Sequence, residues 1–291
     1  MITQLNDFME KISIPPRPST MVAIMDVLQN GSIGSLDKFD LLFRHISNDP
    51  ALTAEVLRKA NASIYHNLPK CTNVRQAMML LGTKNISKLL TDFTFENLSS
   101  DESLETLWNH CIRTAHLAGL INEYLGVGGR SEAYLFGLFH DCGMFIMEKI
   151  FAEEYLETVS LAKKSDKFLH ELEIERHGVS HAEVGALLVE KWNFSDSVRD
   201  AIKLHHHDIY QSTRVPSKTK NIIAVGHLAL CIENSLSEKP CPIIDKETLA
   251  LAEQVTKYLG INWNTLDYLQ KKTEHALSEL NQSDFTIKNI Y

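Results

Sequence analysis

Hydrophobic residues recur at helical spacing along most of the chain. The segment LDKFDLLFRHI places Leu36, Phe39, Leu42, Phe43 and Ile46 on one face of a helix. Spacings of three and four residues continue to about position 280, and in the first third of the chain no strand pattern competes with them. The pattern therefore predicts an all-α fold.

Capping residues predict where the helices begin. Asp49 precedes a proline at the first helical position, and Asn73 precedes the apolar series VRQAMMLL, which Gly82 ends. Ser180 and Glu183 have the spacing of a capping box. Further helices are predicted to begin at Ser131, Asp166 and Ser195, and the tail is predicted to form helices at 246–259 and roughly 264–280.

Composition and charge exclude several classes of function. The 291 residues carry a formal net charge of −8, which argues against a surface that binds nucleic-acid phosphates. No apolar run reaches the roughly 18 residues of a membrane helix. The first residues, MITQLNDFMEK, lack a basic region followed by an apolar core, so we expect no signal peptide and a cytoplasmic protein.

The sulfur-containing and largest aromatic residues are expected in the core. Five cysteines are odd in number and show no pairing pattern, which favours a reducing compartment and buried thiols. The same expectation of burial applies to Met78, Met79, Trp108 and Trp192.

A pair of metal-binding residue types stands at the end of the apolar run YLFGLFHDCGM. His140 and Asp141 are adjacent there, and other histidines fall on helices that could converge on them. Imidazole and carboxylate together bind iron, zinc, nickel or manganese, and helical bundles build such sites from several helices. The further candidates are His110, His116, His181, His205, His206, His207 and His227.

Each candidate also has a structural interpretation. A single histidine on an apolar face, such as His116, is more often a hydrogen-bonded core residue, so we leave it out of the predicted site. His140 could complement a helix C-terminus while Asp141 caps the next segment. Of the three consecutive histidines that start at His205, at most two can face one site.

The order of these residues resembles the HD superfamily of helical metal-dependent phosphohydrolases. His110 lies in WNHCIRTAHLA, the HD pair in GLFHDCG, His181 in HGVSHAEVGALLVEKW, and His205 with His206 in AIKLHHHD. On the N-terminal side, ISNDPALTAEVLRKANASIY and NVRQAMMLLG are similar to the regulatory branch called HDOD, for HD-related output domain. The resemblance extends from about Ile14 to Glu233.

This resemblance implies an HD-type bundle with an N-terminal helical subdomain packed against it. We predict an HDOD domain at 14–235, divided into the N-terminal subdomain at 14–100 and an HD-like metal-site half at 101–235, with a C-terminal helical extension at 236–291. It also implies a bacterial signalling role that depends on a protein partner or a small phosphate-containing ligand. The predicted metal ligands are His110, His140, Asp141, His181, His205, His206 and His227.

Three departures from the catalytic HD pattern affect the prediction of activity. Gly226 and His227 stand where active enzymes have an Ala-Asp pair, and Met144 replaces a lysine that contacts phosphate. The Gly-Tyr-Pro signature of cyclic-dinucleotide phosphodiesterases is missing after His206. Asp141 is then the only anionic candidate, so one divalent metal, or none, balances the site better than two.

Two functions therefore stay open. In the first, the chain is a non-catalytic output module with a degenerate metal site, and it binds a partner or ligand. In the second, it is a metal-dependent phosphohydrolase in which the metal activates a water and Asp141 binds that metal and orients the water. The sequence indicates no organic cofactor and leaves the oligomeric state open.

Overall fold

A computed structural model describes residues 17–29, 34–62, 70–96, 102–236 and 242–288, and within these ranges the regular structure is helical, with no strand. The all-α prediction is confirmed. The helices are α1 Pro18–Gln29, α2 Ser35–Ser47, α3 Pro50–Ala60, α4 Val74–Leu81, α5 Thr83–Glu96, α6 Glu102–Leu125, α7 Arg130–Phe139, α8 Cys142–Lys164, α9 Leu169–His177, α10 His181–Lys191, α11 Asp196–Leu204, α12 Ser217–Leu236, α13 Pro242–Leu259 and α14 Trp263–Lys288.

Three predicted caps are confirmed by their hydrogen bonds. Asp49 Oδ1 accepts from the backbone N–H of Leu52 at 3.0 Å, and Asn73 accepts from the third residue of α4. Ser180 and Glu183 form a reciprocal capping box at the start of α10. Each cap satisfies backbone donors that a helix leaves without an internal partner.

Three local predictions are wrong. Helix α7 begins at Arg130 after Gly129, whose left-handed φ of 78° sets the turn, so Ser131 lies inside the helix. Helix α9 begins at Leu169, since the extended backbone of Phe168 keeps the predicted start at Asp166 outside it. Met79 is 61% exposed, whereas its neighbour Met78 is buried as predicted.

The N-terminal helices pack on the helices that carry the histidines. One apolar core runs without interruption from Met21 on α1 to Ile223 on α12. Polar contacts support this packing: His116 Nε2 on α6 lies 2.8 Å from Asn48 Oδ1, and the Tyr134 hydroxyl on α7 donates to the carbonyl of Ser47. The structural interpretation of His116 is thus confirmed.

Glycines allow two pairs of helices to approach closely beside the histidines. An added Cβ at Gly143, near the start of α8, would lie 1.9 Å from the carbonyl oxygen of His181. At Gly137 on α7 an added Cβ would lie 2.6 Å from the backbone of Ala115 on α6. Since real Cβ atoms do not approach backbone so closely, only glycine allows these contacts.

The last two helices cover a second apolar cluster. Val255 on α13 and Leu269 on α14 pack with Leu117 on α6 and Leu228 on α12. The predicted tail helices are therefore present, although α13 begins and α14 ends outside the predicted ranges. The boundaries predicted for the HDOD domain and its two halves stay predictions.

Among the described residues, no helix combines the length and apolarity needed to cross a membrane. The cysteines in the same residues are all free thiols, and Cys111 and Cys142 are buried. The fifth, Cys241, lies outside the described residues.

Candidate metal centre

The turn between α7 and α8 presents the HD pair to the interior. His140 is the residue at which α7 ends, and its exposed fraction is 1%. Asp141 immediately precedes α8, but its side chain makes no capping hydrogen bond. The carboxylate is instead buried among imidazoles, so the interpretation of Asp141 as a simple helix cap fails.

Four histidine Nε2 atoms from four parts of the chain surround the carboxylate of Asp141. His140 Nε2 lies 3.2 Å and His110 Nε2 4.0 Å from Oδ2. On the other side, His181 Nε2 lies 3.5 Å and His205 Nε2 4.0 Å from Oδ1. Each carboxylate oxygen therefore faces its own pair of imidazoles.

The ligand atoms form two groups, within each of which all atoms lie within 4.8 Å of one another. His206 belongs to the same group as His181, since its Nε2 is 2.8 Å from His181 Nε2. The neighbouring His207 is exposed, so two of the three consecutive histidines face the cluster. One group contains His110, His140 and Asp141, and the other contains His181, His205 and His206.

Backbone carbonyls at helix C-termini orient two of the imidazoles. His140 Nδ1 lies 2.9 Å from the carbonyl oxygen of Gly137, and His205 Nδ1 lies 2.6 Å from that of Ile202. Because a carbonyl only accepts, each Nδ1 must carry the hydrogen. In a neutral ring the lone pair is then on Nε2, the atom that lies 3.2 Å from the Asp141 carboxylate in His140 and 4.0 Å from it in His205.

Buried carboxylates orient the imidazoles of two other histidines. His110 Nδ1 is 3.2 Å from Glu233 Oε2, and His181 Nδ1 is 2.7 Å from Glu173 Oε2. Metal-binding histidines usually donate their second ring N–H to such an acceptor, which fixes both the tautomer and the ring orientation. All four Nδ1 atoms thus have the partners that a metal site requires.

The residues present fit a cation. The Nε2 atoms of His110, His140 and His205 are buried and have no hydrogen-bond partner among the protein atoms. A buried polar atom without a partner costs free energy, and native structures contain few of them. A divalent cation bound by either group beside Asp141 would give the unpaired Nε2 atoms of that group a partner.

The electrostatics of the cluster favour the same interpretation. Burial and neighbouring imidazoles hold the pKa of His205 and of His206 well below the usual value, so both are neutral, as ligands must be. Burial raises the pKa of Asp141, but His140 and His181 outweigh it and hold this pKa well below the usual value. The carboxylate of Asp141 is therefore ionised, and the rings of His205 and His206 are neutral.

His181 differs from the other imidazoles. Burial lowers its pKa, but Glu173 and Asp141 on either side raise it to about 10 overall. Without a cation, the ring is an imidazolium that donates from Nδ1 to Glu173 and from Nε2 to His206. A divalent cation would take the place of the Nε2 proton.

His227 is buried on α12, but it lies outside both groups of ligand atoms. Its Nδ1 is 3.0 Å from the hydroxyl oxygen of Tyr210, and its charge would affect the pKa of His206. It is therefore close to the cluster, and its predicted role as a ligand stays a prediction.

Sequence reasoning missed the two outer carboxylates. Glu173 is fully buried and Glu233 is 5% exposed. A signal was present for Glu173: it lies four residues after Leu169 and four before His177, both buried, so it shares the buried face of α9. An acidic residue on a buried helix face needs a partner, and here the partner is a predicted metal ligand.

Comparisons with known proteins agree with this architecture. A family model described as the HDOD domain matches residues 14–208. Among solved structures, the MmoQ response regulator from Methylococcus capsulatus superposes with a TM-score of 0.68 at 22% identity, covering 89% of this chain and 98% of that one. A virulence factor from Campylobacter jejuni gives a TM-score of 0.60 at 21% identity, covering 91% and 95%. At these identities the likeness shows the fold alone.

A curated relative from Treponema pallidum, described as an uncharacterized protein, is 26% identical over 197 residues. The match covers 67% of this chain but only 38% of the length of the relative.

Proposed function

The chain belongs to the HDOD domain family, and from this we propose that it is a signalling output domain in which a buried His/Asp cluster binds a divalent metal ion. The bound metal would hold α6, α7, α8, α10 and α11 in one arrangement, and this arrangement would be recognised by a partner protein or a small phosphate-containing ligand. The similarity to a response regulator, MmoQ, supports the signalling role.

One observation carries the metal-binding part of this proposal. Three buried Nε2 atoms without protein partners point at one buried carboxylate, while the Nδ1 atom of each ring is held by an acceptor. The residues that would hold the metal are the two groups around Asp141. Imidazole and carboxylate ligands suit iron, manganese, zinc or nickel.

The enclosure of the cluster supports a structural role for the metal. His140, His181 and His205 are each at most 2% exposed. Structural sites are closed by protein ligands, whereas catalytic sites keep one coordination position for water or substrate. In addition, Met144 stands where active HD enzymes have a lysine that contacts phosphate, and its side chain packs against the core.

The test is the metal content and stability of protein purified without a histidine tag. We expect bound iron, manganese, zinc or nickel, and a lower melting temperature after chelation. A ligand at 100 times its Kd stabilises a fold by about 2.7 kcal/mol. His140→Ala should lose the metal, and His207→Ala, which changes an exposed neighbour of the cluster, should keep it. Protein that contains no metal and cannot be loaded would contradict the proposal.

A second function, phosphohydrolase activity, is favoured by a different feature of the same site. The two oxygens of Asp141 face different groups of histidines, so the carboxylate is well placed to bind metal. A divalent metal can activate water and polarise a phosphoryl group. Asp141 would be the residue that binds metal and orients the water.

Turnover of a panel of nucleotides and phosphoesters with added iron or manganese distinguishes the two functions. Hydrolysis that disappears in His140→Ala but persists in His207→Ala would favour the enzyme. Bound metal without turnover of any substrate would favour the non-catalytic output domain.

A further inference from the structure

Glu173 on α9 is the most completely enclosed acidic residue beside the cluster, with an exposed fraction of 0%. Oε2 accepts from both the backbone N–H and the Nδ1–H of His181, at 2.8 Å and 2.7 Å. Oε1 accepts from the Tyr155 hydroxyl at 2.6 Å. Both oxygens of this buried carboxylate are therefore engaged by short hydrogen bonds.

These bonds fix His181 in two ways. The bond to the backbone N–H places the first residue of α10, and the bond to Nδ1 sets the rotation of the ring. Together they direct Nε2 towards Asp141 Oδ1 and His206 Nε2, at 3.5 Å and 2.8 Å. The negative charge also lies at the positive end of the α10 dipole, which favours it there.

Glu233 has a comparable position behind His110, but its charge is shared. Its Oε1 lies 3.0 Å from Arg113 Nε, and its Oε2 lies 3.2 Å from His110 Nδ1. The donors that approach Glu173 come instead from Tyr155 and His181. Its charge therefore acts mainly on the imidazole of His181.

We propose that Glu173, held by Tyr155, is a positioning residue that orients His181 and increases its affinity for the metal ion. This inference rests on the proposed metal-binding function and deepens it. The competing explanation is that Glu173 only links α9 and α8 to α10. A linking role would affect folding, whereas positioning affects the affinity of the folded protein for a metal.

Glu173→Gln separates charge from shape. Glutamine has nearly the same size; its carbonyl oxygen can still accept from His181, and its NH₂ can donate to the Tyr155 hydroxyl. The matched control is Glu175→Gln on the same helix, because Glu175 forms only an exposed ion pair with Lys167. The probe is Zn²⁺ alone, with Kd measured by competition with a chelator well below the melting temperature of each apoprotein.

We expect Glu173→Gln to weaken Zn²⁺ binding about 10- to 100-fold, the range found when the outer partner of a metal-bound histidine is removed. Glu175→Gln should bind Zn²⁺ as the wild type does, and Tyr155→Phe should lie between the two. Zn²⁺ affinity unchanged in Glu173→Gln would overturn the inference, even if the apoprotein is less stable.

Two further outcomes are decisive. If Glu173→Gln does not fold, Tyr155→Phe takes its place, and an unchanged Kd in that variant would overturn the inference. If the wild type itself binds no Zn²⁺, manganese or iron, the proposed metal site falls and the inference with it. Wild-type binding together with an unaltered Glu173→Gln variant would overturn the inference alone.

Discussion

Gly143→Ala is expected to disrupt the contact between α8 and α10 that brings Asp141 beside His181. The added Cβ would lie 1.9 Å from the His181 carbonyl oxygen and 2.8 Å from the Gly185 backbone nitrogen. Ordinary contact begins near 3.4 Å, so the two helices would have to move apart by about 1.5 Å in a close-packed interior. Both atoms belong to backbone, which cannot rotate away as a side chain can.

The expected cost follows from two opposing effects. Overpacking a core typically costs about 1–3 kcal/mol, and a collision with backbone belongs at the upper end. Alanine in a helix gains at most about 1 kcal/mol over glycine. We therefore expect the free energy of unfolding to fall by about 2 kcal/mol and the melting temperature by about 5 °C.

The measurement is urea unfolding of the apoprotein, with Gly185→Ala as the control at the same interface. Gly185 has side-chain atoms of Ile202 and Cys142 as its nearest neighbours, at 3.2 and 3.3 Å, so its substitution should change stability by less than about 1 kcal/mol. Metal binding, if present, should weaken in Gly143→Ala alone. A Gly143→Ala variant as stable as the wild type, or two variants with equal losses, would refute the steric argument.

Three other predictions concern residues away from the cluster. Burial and the charge of Arg130 lower the pKa of His116 to about 4. Because the unfolded chain binds this proton more readily, the protein should lose up to about 3 kcal/mol of stability as pH falls from about 6.5 to 4. Urea unfolding across this range should show a smaller loss of stability in His116→Gln. Ala152 has a φ of 45° and a ψ of −119° at a kink in α8, a sparsely populated conformation that costs about 1–3 kcal/mol; Ala152→Gly should therefore raise the melting temperature, and a lower value would contradict that. Asn73→Ala removes the cap of α4 and should cost about 1 kcal/mol by urea unfolding, whereas an unchanged midpoint would show that the cap is dispensable.

Local signals predicted helix positions well where a side chain makes the decisive bond. Asp49 and Asn73 cap their helices because a side-chain oxygen reaches a backbone N–H nearby in sequence. The prediction that Ser131 caps α7 was wrong because the backbone of Gly129, in the left-handed region, sets the turn. The prediction that Met79 is buried was wrong because α4 buries only one face, which includes Met78 but not the next residue.

The residues at the centre of the candidate site could be singled out from the sequence, whereas the carboxylates behind them were missed, although the buried face of α9 carried a signal for Glu173. Histidine and aspartate carry a chemical signal in the sequence itself, so His140 and Asp141 stood out. Glu173 and Glu233 are acidic residues of a common type, and their role depends on how helices pack: Glu233 contacts His110, which is 123 residues away in sequence, and Glu173 contacts His181 on the next helix. The short distance between α8 and α10 likewise could not be predicted, because it depends on the backbone atoms of α10 that lie against Gly143.

The carbonyl bonds of His140 and His205 have a consequence for protein engineering. Each Nδ1 binds the oxygen three residues earlier, at the end of its own helix, where carbonyls lack helical partners. The acceptor that selects the tautomer therefore lies within the same helical turn as the ring. A histidine placed at the C-terminus of another helix could form the same bond. Its Nδ1 would then carry the hydrogen, and its Nε2 would be available to a ligand beyond the end of the helix.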